Sequence, residues 1–359
     1  MAIVRAVRTN PIPIQYRAIY LFPNDASELE RLDYQYMVLA HAFDQKLHFA
    51  PLSNPQSILD IGTGTGIWAT EMGDQYPAAQ IEATDLSPIQ PSSVPENVQF
   101  LIDDAEQDDW CAPSDHYDYI HTRMMLGSFQ DFRTIIAKAF HHTRPGGWME
   151  SQDLMPTVYC DDGTMPDTWP LLDWAHNMDA ASMREPARPL RIANRLKKWY
   201  LQAGFVDVQE RIIRLPINDW PKDPDLKLRG MYWAENLMQG LSGLSLAYFS
   251  RVLMWSPEEI QVYLVSVRKA ITDRRVHAYQ NFYVVWGRKP RADEAAEPDT
   301  AALYAPTIAS SAASAVMSFD PPLPRASPTD TPAALATCRA VSGPPAEDVE
   351  IGAAKRVRM

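Results

Sequence analysis

Apolar positions along the chain recur with two periods, and their alternation predicts an architecture before any motif is considered. Leu29, Leu32, Tyr36, Leu39 and Phe43 repeat every three or four residues, the spacing of one helix face, and predict a helix through about residue 47. Asn24 or Asp25 stands where that helix needs a cap, with Glu28 in its first turn. Ile58, Leu59 and Ile61 then form a short apolar run of strand length, followed by similar runs at 80–84, 98–102, 117–121, 148–153, 205–212 and 277–286. Helical patterns fall between them at about 67–76, from about Met124, at 131–142, at about 189–203 and through much of 220–275. Gly204 is placed as a C-cap, Arg144-Pro145-Gly146-Gly147 as a breaker before the fifth strand, and Gly240 and Gly243 as interruptions of a helical stretch. Ser256-Pro257-Glu258-Glu259 carries a cap, a first-turn proline and a capping box. Strands alternating with helices predict an α/β fold on a mostly parallel sheet.

The chemistry gathers where the predicted strands end. The first runs through Asp60 into Gly62, Gly64 and Gly66 and then a helix beginning Ile67-Trp68. Glycines let the backbone turn tightly and approach a ligand, and the helix start offers N–H groups and a positive dipole end to the same ligand. Strand, glycine turn and helix make the general nucleotide-binding unit. The dinucleotide fingerprint needs G-x-G-x-x-G, whereas these glycines are each two apart and position 67 is Ile, which counts against NAD. Asp60 would repel a diphosphate and welcome an ammonium or sulfonium group. Asp85 closes the second strand about where an acidic residue accepts ribose hydroxyls in related units, and Asp103 and Asp104 close the third. His121 and Arg123 stand at the mouth of the fourth; His141 and His142 end a helix, where a cationic side chain suits the dipole.

Composition narrows the classes. A chain of 359 residues accommodates one large α/β domain plus appendages, and a net charge of −12 argues against direct nucleic-acid binding. Cys111, Cys160 and Cys338 form no C-x-x-C pair, so neither a disulfide framework nor a zinc site is expected. No signal-peptide core and no apolar run of membrane-spanning length is present, so no membrane association is expected. The expected organisation is an N-terminal arm at 1–22, a catalytic domain at 23–290 with helical insertions at about 154–204 and 216–276, and a disordered tail rich in Ala, Pro and Ser at 291–359. Lys355, Arg356 and Arg358 near its end read as ordinary solvated charge.

The stretch D-I-G-T-G-T-G-I-W from Asp60, together with Pro23-Asn24-Asp25, Thr84-Asp85-Leu86-Ser87-Pro88-Ile89-Gln90-Pro91, Ile102-Asp103-Asp104-Ala105-Glu106 and Arg144-Pro145-Gly146-Gly147, resembles the fungal LaeA-like family of class I S-adenosylmethionine (SAM) methyltransferases. The resemblance spans about residues 20–290. It implies a Rossmann-like, seven-stranded sheet, six strands parallel and the last antiparallel, with SAM as cofactor. It further implies that Asp60 and the backbone of Gly62, Thr63, Gly64 and Gly66 hold the methionine part, Asp85 the ribose, and Asp104, followed by Ala105, or Asp103 the adenine. The expected activity is methyl transfer to a small-molecule acceptor of fungal secondary metabolism, in the cytoplasm. The alternative is a nuclear regulator of secondary-metabolite genes working through protein partners. No catalytic residue is assigned: His121 and His176 are the titratable candidates for a base. Trp169, Trp174, Tyr232 and Trp233 are candidate acceptor-pocket walls, with core packing the favoured role for any single one. Tyr16, Tyr20, Tyr34 or Tyr36 are candidate lid residues, with a helix that simply covers one edge of the core as the favoured reading of that region. No metal is expected.

Overall fold

Strand pairing follows the apolar runs into one sheet of order β3-β2-β1-β4-β5-β7-β6. The strands are β1 Ser57–Ile61, β2 Gln80–Asp85, β3 Val98–Ile102, β4 Tyr117–Arg123, β5 Thr143–Tyr159, β6 Val206–Pro216 and β7 Tyr279–Arg288. The neighbours from β3 through β5 pair in parallel, while β7 runs antiparallel to both β5 and β6. This is the expected class I methyltransferase sheet. The computed structural model describes residues 25–107, 110, 112–184 and 186–294. The arm at 1–22, Tyr16, Tyr20, Cys111, Cys338, the tail beyond residue 294 and its basic cluster lie outside the described residues.

β1 sits at the middle of the parallel part, so both its faces are covered and its sequence is a continuous apolar run broken by Asp60. Ile58 faces Trp68, Ala69, Met72, Ile81 and Tyr119 on one side of the sheet. Leu59 and Ile61 face Ile120, Ile135, Met149, Leu196 and Tyr200 on the other. Burying each such side chain stabilises the fold by about 1.5–3 kcal/mol.

Seven α-helices complete the described fold: α1 Ala26–Ala42, α2 Ile67–Gln75, α3 Phe132–His142, α4 Pro170–Ser182, α5 Leu196–Ala203, α6 Pro224–Ser245 and α7 Pro257–Ile271. Asp25 caps α1 by accepting from Glu28 N–H at 2.9 Å. The Glu28 carboxylate turns to Arg31 instead of closing a capping box. Ser256 and Glu259 do form the box that starts α7, and Gly204, at φ +104°, caps α5.

Several elements differ from the pattern-based reading. α1 stops at Ala42 because Asp44 and Gln45 take left-handed φ values of 55° and 62°. No helix starts at Met124; its φ of 56° opens a turn, and α3 begins only at Phe132. β5 starts at Thr143, absorbing the Arg144–Gly147 breaker as a register shift, and continues to Tyr159 because β7 pairs with it as far as Tyr279. Residues 154–159 therefore belong to the sheet, and the α5 helix starts at Leu196 after a 3-10 turn at Ala193–Arg195. α6 runs through both Gly240 and Gly243. Gly240 is a contact point there: a Cβ would lie 3.3 Å from Cδ of Arg31 on α1.

Candidate functional site

The C-terminal ends of β1, β2, β3 and β4 open into one cavity of about 170 Å³, roofed by Leu32, Gln35, Tyr36 and Leu39 of α1. The glycine turn forms its floor. Gly62 and Thr63 N–H donate to Thr84 O at 2.8 and 2.9 Å, Gly64 N–H to Asp85 Oδ2 at 2.9 Å, and Gly66 N–H to Thr63 O at 3.0 Å. These four loop amides are committed within the protein; they are distinct from the helix-start amides at 67–70 that the sequence marks as facing a ligand. What the turn presents is the carboxylates around it, an arrangement that suits a cation and disfavours a diphosphate. Positive φ at Gly64 (+58°) comes with open space beyond it, whereas at Gly66 (+82°) a Cβ would lie 2.4 Å from Phe100 Cζ.

Asp60 and His121 are register partners on β1 and β4, both buried, with His121 Nδ1 2.8 Å from Asp60 Oδ1. A carboxylate can only accept, so Nδ1 carries the proton. The ring stacks on Trp68 of α2 with centroids 3.8 Å apart and planes 7° apart. Burial pushes the His121 pKa down, against the opposing pull of Asp60, so the imidazole is neutral near pH 7. Its Nε2 is buried without a hydrogen-bond partner among the described residues. A neutral ring with its proton committed to Asp60 fixes that carboxylate.

At the next strand end, Asp85 accepts from Gly64 N–H and, through Oδ1, from Ser87 N–H at 2.9 Å. Burial raises its pKa while these hydrogen bonds lower it. Each oxygen retains a lone pair, enough to accept from a hydroxyl. Gln90 fastens the loop beyond by donating to Gly64 O at 2.7 Å. On β3's side, burial also raises Asp103, and Asp104 accepts from Glu106 N–H at 3.0 Å. Lys138 of α3 donates to the carbonyls of Ala105 and Glu106, and Glu106 accepts from Arg188 at 2.7 Å and from Gln130 N–H at 2.7 Å. The turn after β4, with Met125, Ser128 and Phe129, closes this end. Buried Asp153 of β5 accepts from Leu126 N–H of that turn at 3.1 Å, and its Oδ2 has no partner among the described residues. Burial pushes the Asp153 carboxyl up to about 8.

Thus Asp60, Gly62, Thr63, Gly64, Asp85, Asp103, Asp104 and Ala105 all line the one cavity, and Gly66 supports its wall from behind. Tyr36 lines it as well, its hydroxyl donating to Glu71 of α2. The other described aromatic candidates do not line this cavity, and the tryptophans take the core-packing role favoured for them. Trp169, Trp174 and Trp233 are buried in the helical core, where Trp174 donates to Ser245 and Trp233 to Gln280. Tyr232 lies on the outer surface of α6 against His41, Tyr34 packs at the helical core's edge, and His176 is exposed on α4. Helical spacing identifies an apolar face but not which cavity, if any, that face borders. His142 is structural, bonded to Pro113 O and stacked on Trp110. The Trp68 stack, the Met125 and Phe129 wall and the Arg188 contact were missed; only Trp68, beside the glycine turn, stood where a local signal could have found it.

Comparison with known proteins agrees with this geometry. A family model described as a methyltransferase domain matches residues 34–210. The methyltransferase pytC of Aspergillus terreus is 40% identical over 273 residues, covering 76% of this chain and 83% of the relative. A secondary metabolism regulator of Cochliobolus heterostrophus is 35% identical over 281 residues, 77% of this chain and 91% of the relative. The protein-methionine methyltransferase laeA of Emericella nidulans is 33% identical over 276 residues, 76% and 73% of the two chains.

Proposed function

The chain belongs to the fungal LaeA-like family of SAM-dependent methyltransferases, and from that premise we propose that it methylates a small-molecule acceptor of secondary metabolism. The observation that carries this reading is the single cavity in which carboxylates from three adjacent strand ends surround a glycine turn whose amides are internally bonded. A sulfonium and an ammonium group suit such a wall, so the residues present fit SAM. Asp60, fixed by His121, and the Gly62, Thr63 and Gly64 turn, with Gly66 supporting it from behind, would hold its methionine part; Asp85 would take the ribose, and Asp104 or Asp103, with Ala105, the adenine. When bound, SAM supplies an electrophilic methyl group on sulfur. The protein's part is to orient that group and to exclude water beneath α1, since holding two reactants at attack distance contributes much of such a rate.

The roof supports a compact acceptor. α1 borders the cavity and is tied to α2 through Tyr36 and Glu71, an arrangement with room for a compact acceptor beside the cofactor's place. A cytoplasmic location accompanies this reading. Purified enzyme and labelled SAM are incubated with extracts of a producing strain and of a strain lacking the gene. Label entering a small compound that accumulates in the second strain is the expected result; label confined to protein would sink the small-molecule reading.

A second reading, a nuclear regulator acting through protein partners, has behind it the 35% identity to a secondary metabolism regulator. Imaging of a tagged copy separates the two, together with recovery of stable partners.

A further inference from the structure

Of the charged side chains in the cavity wall, Asp60, Asp85, Asp103, Asp104 and Glu106 are acidic, and Arg123 is the one cation among the described residues. Arg123 ends β4, beside Gln152 in the sheet register, and its Nε–H donates to Gln152 Oε1 at 2.7 Å. The faces of Tyr36 and Phe43 lie 5.3 and 5.6 Å from the guanidinium carbon. No ion pair forms between Arg123 and a carboxylate of the described residues. Aromatic faces offset part of the cost of burying a cation, and the charges of Asp60 and Glu150 act on it at longer range. The Tyr36 hydroxyl engages the guanidinium as well, while no carboxylate of the described residues pairs with its Nη groups. An arginine fork held this way recognises planar anions.

We propose that Arg123 is the carboxylate-binding group of the cavity. The proposal rests on the methyltransferase reading above and adds a charge partner to it. Two carboxylates have the right chemistry: the amino-acid end of SAM and an acceptor that is itself a carboxylic acid. The sheet favours the first. β1 and β4 are neighbours, Asp60 pairs with His121 and Ile61 with Thr122, so Asp60 and Arg123 stand at the same strand ends. Together they offer one negative and one positive group, the complement of an amino-acid zwitterion.

Calorimetry on the full chain tests this with two nucleosides. S-adenosylhomocysteine carries the amino-acid end; methylthioadenosine keeps the nucleoside and lacks it. Arg123→Gln is expected to weaken S-adenosylhomocysteine roughly tenfold to a hundredfold and to leave methylthioadenosine within about twofold, with Arg123→Lys recovering part of the loss. Benzoate titrated into protein saturated with S-adenosylhomocysteine reads the other source. If benzoate binds wild type but not Arg123→Gln, and S-adenosylhomocysteine affinity is intact, the carboxylate belongs to the acceptor. A parallel loss of both nucleosides in the Gln and Lys variants would make Arg123 a packing residue and overturn the proposal. Unchanged binding of S-adenosylhomocysteine and of benzoate would overturn it too. A wild-type protein that binds neither nucleoside would instead refute the cofactor reading beneath it.

Discussion

At the scale of single residues, the glycine turn makes unequal demands on positions that look alike in sequence. Gly64→Ala meets only the backbone strain of a left-handed φ, because space lies beyond it, and is expected to cost about 1–2 kcal/mol. Gly66→Ala adds a collision with the Phe100 ring and is expected to cost more than Gly64→Ala in urea denaturation. Asp153 makes a prediction about pH. Its carboxyl titrates near 8 in the fold because burial disfavours the charge, against about 3.9 in an unfolded chain. The stability contributed by its protonated form is therefore fully present below about pH 4, declines as pH rises toward 8 and is lost above. Asp153→Asn, which can still accept from Leu126 N–H, should flatten that slope, removing on the order of a few kcal/mol of pH dependence between pH 5 and 8. Denaturation at several pH values checks it. The cavity carboxylates were legible because Asp60, Asp85, Asp103 and Asp104 each end or directly follow an apolar run. The pairing of Asp60 with His121 was not, since it exists only once β1 and β4 lie side by side.

At the scale of elements, periodicity located nearly every strand and helix, and the errors share one cause. Gly240 and Gly243 looked like breaks because glycine disfavours a helix interior by roughly 1 kcal/mol; tertiary contact outweighs that local preference. α6 needs glycine most acutely at Gly230, where it meets other backbone and a Cβ would lie 2.1 Å from Asn218 O, while Gly240 meets the Arg31 side chain. Gly230→Ala is accordingly expected to destabilise by roughly 1–3 kcal/mol or more, measured as a shift in the urea midpoint with unchanged slope. Met124 misled in the opposite direction. Its local sequence gave no hint of the left-handed turn that Met124 N–H and Leu126 N–H make against Gln152 O and Asp153 on β5. The extension of β5 to Tyr159 was equally hidden, because it depends on β7, more than a hundred residues downstream.

At the scale of the molecule, binding and folding are linked. A ligand that binds only the folded chain stabilises it by about 2.7 kcal/mol when present at a hundredfold over its dissociation constant. S-adenosylhomocysteine should therefore raise the melting temperature in a concentration-dependent way, whereas NAD should leave it unchanged; differential scanning calorimetry distinguishes them. The segment between α1 and β1 carries a separate consequence. Phe49 and Ala50 belong to no helix or strand, yet both amides donate to buried Glu150 of β5, at 2.9 and 2.8 Å. In a deuterium-exchange experiment these two amides should be among the slow ones, protected to the level of the central strands, while exposed turns nearby exchange early. Replacing Glu150 with Ala should release both at once, an isotopic signature of one carboxylate fastening the stem of the cavity's roof to the sheet.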